Sequence, residues 1–172
     1  SGLSAICTAM LAFVKQGDHV LVCDSAYGPT RNFCENFLKR FGVETSYYDP
    51  LVGTNIKNYF KKNTKTIYLE SPGSHSFEVQ DIPAITGASR KAGVKTVMDN
   101  TWSAGYFFKP FEHGVDVSVQ AATKYFVGHS DAMLGSVTTT FDNFEAVKNS
   151  ARILGYHAAP DDAYLGLRGI RT

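Results

Sequence analysis

The sequence predicts an α/β fold in which a mostly parallel β-sheet carries helices on both faces. Short runs rich in β-branched residues alternate with helical patterns along the chain, and this alternation is typical of a parallel sheet. Runs such as Thr66–Leu69 and Thr96–Met98 show no polar–apolar alternation, as expected for strands that are buried on both faces. The length of 172 residues is compatible with one domain.

The individual elements follow from these patterns and from the glycines between them. We expect Gly17, Gly42 and Gly93 to end the helices that precede them, because glycine readily adopts the left-handed conformation of a helix end. A further helix is expected just before Thr172. The predicted strands are His19–Asp24, Val43–Tyr48, Lys65–Glu70, Lys95–Asp99, Asp116–Gln120 and Leu134–Phe141. The predicted helices are Leu3–Lys15, Thr30–Phe41, Ile56–Lys62, Ile82–Lys91 and Asn143–Ile153.

Composition excludes several classes of function. A formal net charge of +1 gives the chain no general attraction to nucleic acid or to an anionic membrane surface. Cys7, Cys23 and Cys34 are odd in number and lack metal-site spacing, so buried free thiols are expected rather than disulfides or zinc ligands. The sequence shows no signal-peptide pattern and no apolar run near the ~20 residues of a membrane span, which predicts a cytoplasmic protein.

Two residues just beyond predicted strands point to chemistry. Asp99 ends an apolar strand, and Lys124 lies in a loop beside threonine and glycine after the next strand. Ligands of open α/β sheets bind at the carboxyl ends of strands. A lysine amine can form a Schiff base with an aldehyde, and a carboxylate can keep a pyridine nitrogen protonated. The pair therefore indicates a pyridoxal phosphate site, although a surface lysine and a strand-end cap would fit the local pattern as well.

The motifs around these two residues resemble those of the Cys/Met-metabolism family of pyridoxal phosphate enzymes. Within it, they are most similar to the bacterial enzymes that cleave L-cystathionine by β-elimination. The resemblance covers essentially the whole chain in order. The matching segments are Ser1–Ala5, Phe13–Val20, Ala26–Pro29, Tyr48–Leu51, Leu69–Ser74, Met98–Trp102, Gln120–Tyr125, Gly128–Gly135 and Arg168–Thr172.

The resemblance implies roles for the residues nearest the cofactor ring. Lys124 would form the Schiff base and act as the base that removes the substrate α-proton. Asp99 would partner the pyridine nitrogen. Tyr27 would stack on the ring face and assist proton transfer.

The resemblance also implies a phosphate site and two departures from the family pattern. The backbone amides of Gly2 and Leu3, at the start of the first helix, would hold the phosphate together with the Thr123 hydroxyl. Many relatives carry serine where this chain has Ala121, and many γ-acting relatives carry asparagine where it has Ser74. Both departures favour β-elimination over γ-chemistry.

Several other residues are interpreted as structural. His129 and Asp131 lie too close together in one short loop for a metal site or a catalytic triad, and no metal is expected. Arg168 is expected to form a helix-end salt bridge. His19 is expected in a loop or at the surface, and Trp102 either at the mouth of the site or in the core.

The resemblance implies a cofactor-dependent carbon–sulfur lyase of methionine biosynthesis that acts on a small amino acid, L-cystathionine. Residues 1–172 would form the pyridoxal phosphate-binding large domain, with an N-terminal segment and a C-terminal small domain of the longer enzyme absent. The enzyme would be a homo-oligomer, as a dimer of dimers, with active sites shared across subunits and no nucleic-acid or membrane partner. A γ-acting relative and an inactive dimerisation module remain the alternatives.

Overall fold

The computed structural model describes all residues from Ser1 to Thr172 and contains one six-stranded sheet. The strand order is β2-β1-β3-β4-β5-β6; the first five strands run parallel, and β6 pairs antiparallel with β5 at one edge. The predicted mostly parallel sheet is therefore confirmed. The strands are β1 (His19–Cys23), β2 (Glu44–Tyr48), β3 (Thr64–Glu70), β4 (Lys95–Asp99), β5 (Val117–Gln120) and β6 (Ser136–Thr139).

Helices cover both faces of this sheet. As a result, β1 is buried along its whole length and β3 is buried continuously from Thr66 to Glu70. The first helix packs against β5, β6 and the fourth helix, and the third helix packs against β4. The α-helices are α1 (Gly2–Leu11), α2 (Gly28–Asn32), α3 (Ile82–Ala92), α4 (Phe144–Leu154) and α5 (Pro160–Ile170). A π-helical turn (Phe33–Phe37) and a 3₁₀ turn (Leu38–Phe41) continue α2, and further 3₁₀ turns span Gly53–Tyr59, Pro110–His113 and Phe141–Asn143.

The first helix is shorter than predicted. It ends at Leu11 instead of Lys15, and Gly17 lies in the turn before β1. The carboxylate of Asp18 accepts a hydrogen bond from the Lys15 N–H at 2.9 Å, while the Asp18 N–H donates to the Lys15 carbonyl at 3.0 Å. This local turn competes with helix continuation. Gly42 and Gly93 do end helical segments in the left-handed conformation, as predicted.

The prediction that His19 lies in a loop or at the surface is wrong. The residue is fully buried in β1. Its Nδ1 lies 2.7 Å from the Thr64 hydroxyl, and burial lowers the pKa of the imidazole. The prediction of free thiols is confirmed for all three cysteines. Cys23 and Cys34 are buried as expected, whereas Cys7 is half-buried. No helix combines the length and the apolar composition needed to cross a membrane.

Candidate active site

Two buried acids lie side by side at the carboxyl edge of the sheet. Asp99 ends β4, Glu70 ends β3, and the two residues are direct partners in the strand register. Both are at most 9% exposed. Parallel strands place their carboxyl ends at one edge of the sheet, where open α/β folds bind ligands.

The carboxylate of Asp99 is hydrogen-bonded within the chain but has no cation beside it. It accepts hydrogen bonds from the Thr101 N–H at 2.9 Å and the Thr101 hydroxyl at 2.5 Å, and a longer one from the Tyr68 hydroxyl at 3.4 Å. None of the ion pairs of the chain includes it. Burial raises the pKa of Asp99 despite these hydrogen bonds. A buried carboxylate of this kind is suited to a cationic partner such as a protonated pyridine.

Thr101 connects Asp99 to the loop that carries Lys124. Its hydroxyl donates to Asp99 and accepts the backbone N–H of Ala121 at 2.8 Å. The Lys124 N–H in turn donates to the Ala121 carbonyl at 2.9 Å, which closes a tight turn. The side chain of Lys124 is exposed, and its amine has no hydrogen-bond or ion-pair partner in the chain. The Thr101 hydroxyl therefore connects Asp99 to the turn that carries Lys124, and the Lys124 amine stays free.

The N-terminus of α1 lies directly on the same loop. A methyl group added at Gly2 would come within 2.7 Å of the Ala121 Cβ, so the two backbones approach as closely as glycine allows. The Ser1 hydroxyl caps the Ser4 N–H at 3.2 Å. The first N–H groups of a helix have no intrahelical acceptors, and the cap occupies only that of Ser4, so those of Gly2 and Leu3 stay free. Two free amides at a helix N-terminus form a cradle for an anion such as a phosphate.

Thr123 makes contacts that differ from the expected ones. Its hydroxyl donates to the Leu134 carbonyl at 3.0 Å and accepts the Leu134 N–H at 2.9 Å. The hydroxyl thus ties the two ends of the loop from Thr123 to Leu134 together. Donation to a phosphate would require the hydroxyl to leave the Leu134 carbonyl.

Tyr27 lies just past β1, at the residue that precedes α2, with its side chain 45% exposed. Its backbone N–H donates to Glu70 at 2.8 Å. Glu70 also accepts the Ser74 hydroxyl at 2.6 Å, and burial raises the pKa of this acid to about 7. Sequence reasoning missed Glu70, although an acid directly after an apolar strand is the same signal that singled out Asp99.

The remaining candidates behave as supporting structure. Trp102 is 44% exposed and meets Phe77 edge-on with ring centroids 5.4 Å apart, so it is not a core residue. Arg168 forms the predicted salt bridge, with Asp131 as its partner at 2.5 Å. The same helix, α5, lies against the lysine loop at Gly169, where an added methyl group would clash with the backbone that follows Lys124.

The chain is similar to known proteins over its whole length. The family described as Cys/Met metabolism PLP-dependent enzyme matches residues 1–172. The chain is 51% identical over 172 residues to a putative cystathionine β-lyase of Rhizobium johnstonii, covering 100% of this chain and 43% of that protein. It is 46% identical to cystathionine β-lyase MetC of Escherichia coli, covering 99% of this chain and 44% of that protein. The chain thus spans less than half the length of these two relatives.

Solved structures show the same fold. The crystal structure of cystathionine γ-lyase from Lactobacillus plantarum complexed with L-serine superposes with a TM-score of 0.96 at 32% identity, covering 100% of this chain and 45% of that one. The structure of metB from Corynebacterium glutamicum gives a TM-score of 0.94 at 32% identity with the same coverage.

The residues fit the cofactor of this family. A buried, unpaired carboxylate, a free lysine amine and an anion cradle bordered by Gly2 meet around one loop. A pyridinium nitrogen, an aldehyde and a phosphate are the three groups that such a set would bind. The family profile spans the whole chain. The chain therefore belongs to the Cys/Met metabolism family of pyridoxal phosphate-dependent enzymes.

Proposed function

We propose that this protein is a pyridoxal phosphate-dependent carbon–sulfur lyase that cleaves L-cystathionine to homocysteine, pyruvate and ammonia. The observation that carries the proposal is that relatives named β-lyases are more identical in sequence to this chain than the relative named a γ-lyase. Proteins named cystathionine β-lyase from Escherichia coli, Salmonella typhimurium and Haemophilus influenzae are 44–46% identical to the chain. A cystathionine γ-lyase of Bacillus subtilis is 35% identical.

Different residues at the sheet edge would bind different parts of the cofactor. The Gly2 and Leu3 amides would take the phosphate, Asp99 would take the pyridine nitrogen, and Tyr27 would cover the ring. When bound, pyridoxal phosphate supplies an aldehyde for the substrate amine and an electron sink for the electrons of the Cα–H bond. The burial that raises the pKa of Asp99 would make its interaction with a cationic ring nitrogen strong.

Lys124 would move the protons of the reaction. Its amine is unpaired and can accept the proton from Cα of the substrate. The bond between Cβ and sulfur then breaks, and the sulfur leaves as homocysteine after gaining a proton. One water molecule converts the remaining three-carbon unit to pyruvate and ammonia, so the atoms balance.

Two other outcomes are tied to specific relatives. A γ-acting enzyme is favoured by the L. plantarum γ-lyase, whose fold matches as closely as any comparison reported above. A racemase is favoured by the L-alanine/L-glutamate racemase of Wolbachia pipientis, which is 39% identical. Ala121, where many relatives carry serine, and Ser74, where many γ-acting relatives carry asparagine, support the β-reaction instead.

A product assay on the natural protein separates these functions. The protein is loaded with pyridoxal phosphate and incubated with L-cystathionine, and the keto acid and thiol are identified. Pyruvate with homocysteine supports the proposal, whereas 2-oxobutyrate with cysteine would establish the γ-reaction. Formation of D-alanine from L-alanine without cystathionine cleavage would establish a racemase.

The organisation of the protein is proposed on the same basis. Residues 1–172 would be the cofactor-binding large domain of an enzyme of methionine biosynthesis in the cytoplasm. Self-association as a dimer of dimers is supported by exposed aromatic side chains, of which Tyr106 is 80% and Phe107 84% exposed. Light scattering on the natural protein tests this proposal, and a monomer at all concentrations would refute it.

A further inference from the structure

Glu70 gathers hydrogen bonds from separate segments of the chain at the edge of the site. Its carboxylate accepts the Tyr27 N–H at 2.8 Å from the turn after β1 and the Ser74 hydroxyl at 2.6 Å from the loop after β3. The Tyr68 hydroxyl lies 3.5 Å from the same carboxylate and 3.4 Å from that of Asp99. Glu70 is 3% exposed and forms no ion pair, so these hydrogen bonds are its main interactions.

The backbone of Tyr27 is held on both sides. Glu70 accepts its N–H, and its carbonyl accepts the N–H groups of Thr30 at 2.9 Å and Arg31 at 3.2 Å in the first turn of α2. The side chain has no hydrogen-bond partner of its own and remains 45% exposed. The hydrogen bonds that hold Tyr27 are therefore all to its backbone, and Glu70 is the only side chain among their partners.

We propose that Glu70 is a positioning residue that fixes the ring of Tyr27 over the cofactor site. This inference rests on the proposed function, because it needs a cofactor ring for Tyr27 to cover. Glu70 itself does not contact the cofactor in this proposal. Its carboxylate acts through one 2.8 Å hydrogen bond to the backbone, and Ser74 holds the other carboxylate oxygen in place.

Two conservative variants separate positioning from charge. In Glu70→Gln the amide oxygen can accept the Tyr27 N–H while the amide nitrogen donates to Ser74, so the anchor is kept without the charge. In Glu70→Asp the charge is kept, but the side chain is one methylene shorter and cannot reach both partners. Positioning therefore requires that the glutamine variant bind pyridoxal phosphate more tightly than the aspartate variant.

The readout is the dissociation constant of pyridoxal phosphate, measured by fluorescence titration of the cofactor-free natural protein. Loss of a well-placed aromatic stack is expected to weaken binding by about three- to tenfold in Glu70→Asp. Glu70→Gln should stay within about twofold of the wild type. Equal weakening in both variants, or weaker binding by the glutamine variant, would overturn the inference.

A double-mutant cycle tests whether the effect passes through Tyr27. If it does, Glu70→Asp should change the dissociation constant by less than about twofold in a Tyr27→Ala background, because the ring to be positioned is gone. The full effect of Glu70→Asp persisting in that background would refute the proposal.

Glu44→Asp, at the opposite edge of the sheet, is the matched control and should leave binding unchanged. Absence of cofactor binding by the wild-type protein would count against the proposed function, whereas normal binding by all the variants would count against Glu70 alone.

Discussion

Two aspartates on neighbouring strands show how differently the two edges of the sheet use a carboxylate. Asp116, before β5 at the amino edge, accepts the Thr96 N–H and the Thr96 hydroxyl, both at 2.9 Å. It also meets the Lys95 amine at 3.5 Å and the Asn143 amide at 3.4 Å. Asp99, the last residue of β4 at the carboxyl edge, receives hydrogen bonds but no cation.

The difference separates the structural use of Asp116 from the cofactor-binding role that we propose for Asp99. At the amino edge, the donors around Asp116 join β4, β5 and the residue before α4, and they include the Lys95 amine. At the carboxyl edge, burial raises the pKa of both Asp99 and Glu70. A buried acid without a cation lowers the stability of the folded chain, and a cationic ligand would recover that free energy.

The largest expected effect is loss of turnover when the free lysine of the carboxyl edge is removed. Lys124→Ala should lower the rate of product formation by about 10³-fold or more, because the general base is lost. Lys95→Ala, which removes the paired lysine of the amino edge, should leave turnover near normal. Borohydride reduction of the cofactor-loaded protein followed by peptide mapping should label Lys124, and a label on Lys109 or Lys148 instead would refute its assignment.

The pH dependence of stability tests the carboxyl edge without any cofactor. The folded-state pKa of Glu70 is about 7, above the ordinary value of 4.5, so its contribution to stability is full at low pH and disappears as pH rises through 7. That loss should reach at most about 3 kcal/mol between about pH 5 and about pH 8. It should be absent in Glu70→Gln.

Urea unfolding of the apo-protein at several pH values measures this slope. The difference between the wild-type and Glu70→Gln curves isolates Glu70, because the depressed pKa of His19 acts in both proteins. Asp99, Tyr68 and Cys23 face Glu70 from the neighbouring strand positions and are also common to both. Parallel curves for the two proteins would show that Glu70 is ionised in the folded state across this range. Glu44→Gln is the control, since Lys61 lowers the pKa of that exposed acid.

Exchanging each aspartate for asparagine should separate the two edges by what is lost. Asp99→Asn is expected to lower turnover by more than about tenfold, or 1.4 kcal/mol of barrier, since a neutral amide cannot hold a pyridinium proton. Its cofactor affinity should remain measurable. Asp116→Asn should instead lower the free energy of unfolding by about 1–3 kcal/mol and spare turnover of the folded fraction. Steady-state kinetics and urea unfolding of both variants check the contrast, and near-normal turnover of Asp99→Asn would contradict it.

Substitutions at two helical glycines are expected to act on folding stability rather than on the chemistry. Gly2→Ala places a methyl group 2.7 Å from Ala121, so it should destabilise the protein by about 1–3 kcal/mol and weaken cofactor binding. Gly87→Ala, in the exposed middle of α3 with nothing within 4 Å, should stabilise it by about 0.5–1 kcal/mol. Thermal unfolding measures both. Equal responses of the two variants would show that the α1 N-terminus is not closely packed on the lysine loop.

The strands and the positions of Asp99 and Lys124 could be predicted because burial and turn chemistry are written locally in the sequence. Each predicted strand core is present in the sheet, Asp99 is the last residue of β4, and Lys124 follows the end of β5. The end of α1 could not be predicted because it depends on the Asp18 side chain closing a turn onto Lys15. The hydroxyl of Thr123 binds Leu134, and the N–H of Tyr27 binds Glu70. Those partners are distant in sequence, and only the folded backbone brings them together.

The close contact of α5 with the lysine loop couples the position of this last helix to that of Lys124. Gly169 places the α5 backbone against the carbonyls of Phe126 and Val127, and Arg168 forms a salt bridge with Asp131 of the same loop. A substitution on α5 would shift the amine of Lys124 without touching substrate or cofactor. Natural variation or laboratory selection could therefore adjust the rate of such an enzyme from a helix outside its active site, leaving every reacting group unchanged.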